Sequence, residues 1–318
     1  MPSSADILKG KLRQAGAFTV GFAPLREVPP EVMDAYTAWI AAGHHGGMDY
    51  LANHIDIRRN PALLLDGGED PRPGGTVISV AFPYCSGDPY HPGRLRIARY
   101  ALGDDYHEVL RQRLRPIAAW ITAETGKEAR ICVDTAPILE RHWAREAGLG
   151  FIGRNRQLII PGHGPCFFLA EIVTRAVFPP DAPCTLTCGD CDACIRSCPG
   201  HALGADNFDG RRCHSYLTIE HHGEFPPGFI PRKDSLYGCD ICIEACPHYR
   251  RADSPTPLPE FLPRESLLDL TVKDVTSLTP GTFSTLLRHS PIKRAKLAGL
   301  LRNASHLSST YPHTDRKD

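Results

Sequence analysis

The 318-residue chain is predicted to be an α+β protein in three parts. Strand-like and helix-like segments interleave over residues 1–180. Nine of the twelve cysteines fall between Cys184 and Cys246. Residues 255–318 carry short helical patterns. Pro179, Pro180 and Pro183 mark the end of the first part at about 180; Pro255, Pro257, Pro259 and Pro263 follow the end of the second at 254.

In chain order, Ser4 is placed to cap a helix running to about Ala15, and Gly16 ends it. Segments 18–22 and 76–82 read as strands, the second opened by Gly74 and Gly75. Helical spacing of Val109, Leu110, Leu114, Ile117 and Ile121 predicts a helix over Tyr106–Thr125. A strand over 129–133 leads into Asp134, and a helix follows from about Pro137 to Ala147. Segment 166–173 is apolar enough for a buried strand. Small helices are expected over 264–305, with a frayed tail after Ser308. Gly43 to Met48, despite His44 and His45, reads as a glycine-rich turn and not as a metal site.

Composition narrows the function. With 36 Lys+Arg against 36 Asp+Glu, the chain is no uniformly basic nucleic-acid binder. No apolar run approaches the roughly 18 residues of a membrane span, and residues 1–11 lack the apolar core of a secretory signal. A reducing cytoplasm is the expected compartment, where cysteines bind metal or stay free.

The cysteine spacing is the most specific signal. Cys188-x2-Cys191-x2-Cys194-x3-Cys198-Pro199 is the bacterial ferredoxin run, in which three thiolates hold one cubane and the fourth serves the other cluster. Cys239-x2-Cys242-x3-Cys246-Pro247 follows, with Cys213 between. The crossover rule assigns Cys188, Cys191, Cys194 and Cys246 to one [4Fe-4S] cluster, and Cys198, Cys213, Cys239 and Cys242 to a second. The bland alternative is a pair of structural zinc sites, which have no need of the x2-x2-x3-Pro pattern. Cys85, Cys132, Cys166 and Cys184 are left as small packing residues. Two clusters form an electron relay, so the first part should hold the acceptor. No GxGxxG follows a strand there, and Asp105-Tyr106-His107 lacks the glycine of the DxHxxG signature that supplies a histidine to cobalamin. Spacing alone thus reaches a two-cluster reductase of unknown substrate.

Several phrases add a resemblance. They are Ala98-Arg99-Tyr100-Ala101-Leu102-Gly103, Asp105-Tyr106-His107, Val133-Asp134-Thr135-Ala136-Pro137-Ile138-Leu139-Glu140, and Gly150-Phe151-Ile152-Gly153-Arg154-Asn155. With them go Phe167-Phe168-Leu169-Ala170-Glu171, Arg212-Cys213-His214-Ser215-Tyr216 and Ser290-Pro291-Ile292-Lys293-Arg294-Ala295. Together they resemble the epoxyqueuosine reductases over roughly residues 15–304. Departures are His214, where the family usually has an apolar residue, and His248-Tyr249 in place of Trp-Asn.

The resemblance implies a nitroreductase-like fold that binds cobalamin, followed by the two clusters. The substrate it implies is epoxyqueuosine at the tRNA wobble position, whose epoxide is reduced to give queuosine. An unidentified low-potential donor would supply electrons. Arg58, Ala98, His107, Asp134, Arg154, Asn155, Leu169 and Ser215 are the implied cofactor contacts, with Asp134 the proton donor. Apolar neighbours such as Val133 and Ala136, with a bound corrin, are expected to raise its pKa. The competing reading is that Asp134 caps the next helix, and that His107 is a packing residue. Residues 275–314 contain no acid but include Arg288, Lys293, Arg294, Lys296 and Arg302; Lys293, Arg294, Lys296 and Arg302 are the expected tRNA contacts. A monomer is expected. Two rival readings are a reductive-dehalogenase-like corrinoid enzyme and a non-enzymatic electron carrier.

Overall fold

A computed structural model of the chain describes residues 2–85, 87–250 and 255–311. Its strands are β1 (Thr19–Pro24), β2 (Thr76–Pro83), β3 (Arg96–Ile97), β4 (Ala129–Cys132), β5 (Phe151–Ile152), β6 (Leu158–Ile159), β7 (Phe167–Thr174) and β8 (Ser235–Tyr237). The main sheet has the order β1-β2-β7-β4, antiparallel throughout. Every residue of β2 is buried, because helices cover both sheet faces; this explains its unbroken apolar run. On one face Ile78, Val80, Phe82, Ala170 and Ile172 pack against Leu8, Leu12, Leu110, Leu114 and Ile121. On the other, Val77, Ala81 and Val173 pack against Trp143, Ala144 and Leu149. An antiparallel sheet covered by helices agrees with the α+β expectation.

Local signals set most element ends. The first helix, Ser4–Gln14, is capped by Ser3 and not by the expected Ser4: the Ser3 side chain accepts from Asp6 N, and Asp6 reaches back to complete a capping box. Asp105 caps Tyr106–Thr125 by accepting from His107 N, and Gly126 closes it in the left-handed region at φ 68°. The helix after Asp134 begins only at Glu140 and runs to Glu146; its cap position, Leu139, makes no side-chain bond. Asp134 is therefore not a helix cap.

A third core joins distant parts of the chain. β3 pairs in parallel with β8, and Leu95, Ile97, Leu236 and Tyr237 pack with Leu267, Leu268, Leu300 and Leu307. The final helix, Lys296–Thr310, passes the point where fraying was expected; the tail from 312 lies outside the described residues. The cysteine-rich segment is held by short helices, Ala193–Ser197, His214–Ile219 and Ile241–Glu244. Its own cores are small, Cys194, Cys198, Ala202 and Leu203 in one and Phe151, Ile159 and Cys246 in the other. The turn around Gly46 docks on this segment: Gly47 N donates to Tyr216 Oη at 2.7 Å, and a Cβ on Gly46 would lie 2.5 Å from the Tyr216 ring. Among the described residues, no helix is long and apolar enough to cross a membrane.

Candidate active site

A cavity of about 540 Å³ lies between the sheet domain and the cysteine-rich segment. One wall carries Tyr106, Asp134 and Glu140, and the other carries Cys198, Cys213, Cys239 and Cys242. The Asp134 wall is built where β4 ends. Asp134 sits in the left-handed region at φ 53°, and its Oδ2 accepts from His107 Nε2 at 3.1 Å. His107 in turn bonds Asp105 through Nδ1 at 2.7 Å, and Tyr106 stands beside Asp134 on the same wall.

The charges are coupled through this line. Burial alone would depress His107, but its bonds to Asp105 and Asp134 overcome it and push the imidazole up to about 9. Burial likewise favours a neutral Asp134, yet the hydrogen bond and charge of His107 hold its carboxyl below the usual carboxylate value. Asp134 keeps 54% of its side-chain surface open because it projects into the cavity. Burial raises the carboxyl as expected of Val133 and Ala136, but without a corrin the hydrogen bond and charge of His107 outweigh it. Behind it, burial and the Asp134 charge push Glu140 up to about 8. Glu171 faces neither solvent nor cavity: it is fully buried, and burial followed by the Glu140 charge raises it well above the carboxylate range.

Of the other expected cofactor contacts, Ala98, Asn155, Leu169 and Ser215 line the cavity with Asp134. His107 stands behind Asp134. Arg154 turns to the cysteine side, where its backbone N donates to Cys188 Sγ at 3.4 Å. Arg58 is brought to neither wall; it is buried, donates to Asn53 O at 3.3 Å and lies over the Tyr36 ring. The structure brings Cys188, Cys194 and Cys246 together, and Cys198, Cys213, Cys239 and Cys242 together. Apart from burial, Cys194 feels Cys188 and Cys246, whereas Cys242 feels Cys239, Cys213 and Cys198. Cys191 alone of the twelve is exposed, and Cys132 and Cys166 are packed in the core.

The cavity suits a redox cofactor rich in oxygen acceptors. Arg156 lines it at φ 62°, and its Nε and Nη2 are buried without a hydrogen-bond partner among the described residues. A buried guanidinium lacking acceptors is costly, so this wall fits a group bearing amide and phosphate oxygens, as a corrinoid does.

The family model for epoxyqueuosine reductase QueG (DUF1730) matches residues 58–135, and that for a 4Fe-4S double cluster binding domain matches 187–249. The epoxyqueuosine reductase of Leadbetterella byssophila is 38% identical over 267 residues, 83% of this chain and 85% of that one. The chain belongs to the epoxyqueuosine reductase family. The Xanthomonas campestris epoxyqueuosine reductase is 40% identical, over 84% of this chain and 76% of its own. A crystal structure of epoxyqueuosine reductase with an epoxyqueuosine-modified tRNA-Tyr stem loop superposes with a TM-score of 0.86 at 26% identity, covering 96% of this chain and 81% of that one. The epoxyqueuosine reductase of Streptococcus thermophilus gives 0.83 at 27% identity, covering 96% and 80%.

As an epoxyqueuosine reductase family member, the chain carries a double [4Fe-4S] domain, and the zinc reading falls with it. Its departures are absorbed by packing. His214, 8% exposed, stacks edge-on to Phe229, and burial pulls its pKa down, so it fills an apolar position as a neutral ring. Of the basic residues, Lys293 and Lys296 are exposed. Arg294 makes a paired bond to Glu220 at 2.8 Å and lies over Tyr50. Arg302 is a correction to the expected tRNA surface: its Nη groups donate to Leu217 O, His221 O and Gly223 O at 2.7–3.0 Å, so the fold itself occupies them. Reading by sequence missed Arg156 and the part played by Tyr106 and Glu140. Tyr106 and Glu140 stand within the family-like phrases, whereas nothing in the sequence marked Arg156.

Proposed function

We propose that the chain reduces the epoxide of epoxyqueuosine, at the wobble position of tRNA, to the alkene of queuosine. The stoichiometry is two electrons and two protons in, one water out. The observation that carries this reading is the opposition of an acid line, Asp105–His107–Asp134, to a cysteine quartet across one cavity. Opening a carbon–oxygen bond generates an alkoxide, and Asp134 is placed to protonate it. His107, whose imidazole is pushed up to about 9 by Asp105 and Asp134, would return a proton to the Asp134 carboxylate it hydrogen-bonds.

Cobalamin, when bound, would supply strongly reducing chemistry at the cavity. Ala98, Asn155, Leu169, Ser215 and Arg156 would hold it. Cys198, Cys213, Cys239 and Cys242 would ligate the cluster beside the cavity. Cys188, Cys191, Cys194 and Cys246 would ligate the outer one, whose Cys191 is exposed; a low-potential donor would deliver electrons to the pair. Lys293 and Lys296 would engage the tRNA backbone. Arg294 ties their surface to the cavity mouth, since its partners Glu220 and Tyr50 both line the cavity. A monomer acting in the cytoplasm suffices for this arrangement. An anaerobic assay on epoxyqueuosine-containing tRNA, with nucleosides analysed by mass spectrometry, tests the proposal. Queuosine is expected; unchanged epoxyqueuosine in the presence of corrinoid, loaded clusters and reductant overturns it.

A further inference from the structure

The turn that presents Asp134 is held from outside itself. Asp134 occupies the left-handed region, where an L side chain is strained. Thr135 N closes the turn on Val133 O at 2.6 Å, and Arg111 Nη2 braces it by donating to Thr135 Oγ1 at 2.5 Å and to Val133 O at 3.3 Å. The remaining bond fixes the acid's own backbone: Asp134 N donates to Glu140 Oε1 at 2.5 Å. Glu140 is the first residue of the helix Glu140–Glu146, whose Trp143 and Ala144 are fully buried against the sheet. Its carboxyl therefore links a rigid layer to a strained one. Below it lies Glu171, in register with Ser79 on β2 and Cys132 on β4. Ser79 Oγ donates to Glu171 Oε1 at 3.4 Å, and Glu171 Oε2 has no hydrogen-bond partner among the described residues, so Glu171 does not compete for the Asp134 N–H.

We propose that Glu140 is a positioning residue for the protonation step: by accepting the Asp134 N–H it holds the acid's turn so that the carboxylate faces both His107 and the cavity. The inference rests on the reading of Asp134 as the proton donor. No proton passes through Glu140 in this role, and the oxygen acceptor is what matters.

The test compares Glu140→Ala, Glu140→Gln and Asp134→Asn in the cluster- and corrinoid-loaded enzyme. Turnover is read with iron and corrinoid content and with hydrogen exchange of the peptide spanning 133–140. Glu140→Gln retains an oxygen at the same reach, and parent-like kcat and protection are expected. Glu140→Ala should lower kcat about 100-fold, as small misplacements of reacting groups do, with KM and cofactor content unchanged and faster exchange at Asp134. The Asp134→Asn/Glu140→Ala double variant should be no slower than Asp134→Asn alone. If Glu140→Ala loads less cofactor, Glu140→Met decides, because it fills the space without an acceptor. Parent-level kcat in the acceptor-free variant, with Asp134→Asn inactive, overturns the positioning role and leaves the acid reading standing. Parent-level kcat in Asp134→Asn overturns the acid reading, and this inference with it.

Discussion

The Asp134 wall of the cavity hangs on a four-stranded sheet buried on both faces, whereas the cysteine wall hangs on helices of four to six residues. The first has its geometry set by packing: β2 and β7 are paired along their length, and Trp143 sits on them with no exposure. The second has little apolar area of its own, and its sulfurs make up part of its two small cores. A domain of that kind gains its folding free energy from the metal it binds. The acid wall is thus preformed, and the redox wall is conditional on its clusters.

Removing iron should break the comparison most visibly. Chelation under reducing conditions is expected to abolish hydrogen-exchange protection over residues 187–249 while β1, β2 and β7 stay protected. Simultaneous loss in both regions would show that the sheet also depends on the clusters. Next in size, Asp134→Ala should lower turnover by about 10²–10⁴-fold, the usual worth of a positioned acid, with iron and corrinoid contents unchanged. Near-parent turnover would remove Asp134 from the chemistry.

Smaller effects come from pH. His107 binds its proton more tightly when folded, at about 9 against 6.5. Its contribution to stability is complete below pH 6.5 and is lost as the pH rises through 9. Glu140, at about 8 against 4.5, adds a penalty that sets in over that interval, so both groups make stability fall with rising pH. Urea unfolding from pH 6 to 10 should show the slope, and His107→Gln should flatten its upper part; an unchanged slope would locate the linkage elsewhere. Smallest of all, a Lys293/Arg294/Lys296 charge-removed variant should bind tRNA with a shallower salt dependence, by roughly 0.7 in the log–log slope for each phosphate it no longer neutralises. Arg302→Gln should instead destabilise the fold, seen as a lower melting temperature, because it leaves three backbone carbonyls without their donor.

The same contrast explains what could be read in advance. The double [4Fe-4S] domain was legible directly, because its cysteines lie in short local runs with fixed spacing. The long helix and the buried strands were legible from periodicity, with Ser3 and Glu140 shifting two helix starts by one and three residues. Charge at the acid site was not. Its controlling partner, His107, is 27 positions from Asp134 in sequence, and only the fold brings the two to 3.1 Å. Glu171, in a family-like phrase, reads as a pocket-lining or exposed strand residue, and only the alignment of three strands around it shows it fully buried. Arg302 looks like one more surface cation because its acceptors are backbone carbonyls, which no sequence displays.

The parallel pairing of β3 with β8 also bears on how the molecule is made. Ile97 gains its cover only once Tyr237 and the last helix exist, so a chain emerging from its N-terminus carries an unpaired strand through the synthesis of residues 98–234. Cys198 and Cys213 lie before that closure, and Cys239 comes two positions after it, with Gly238 N anchored to Thr218 Oγ1 at 3.0 Å. The cysteines facing the cavity therefore converge when this long loop shuts, which is a slow, high-contact-order step. Completion of the double [4Fe-4S] domain is thereby tied to near-complete translation, and nascent chains interrupted before β8 would expose the thiols of its first cysteine run without those of its second.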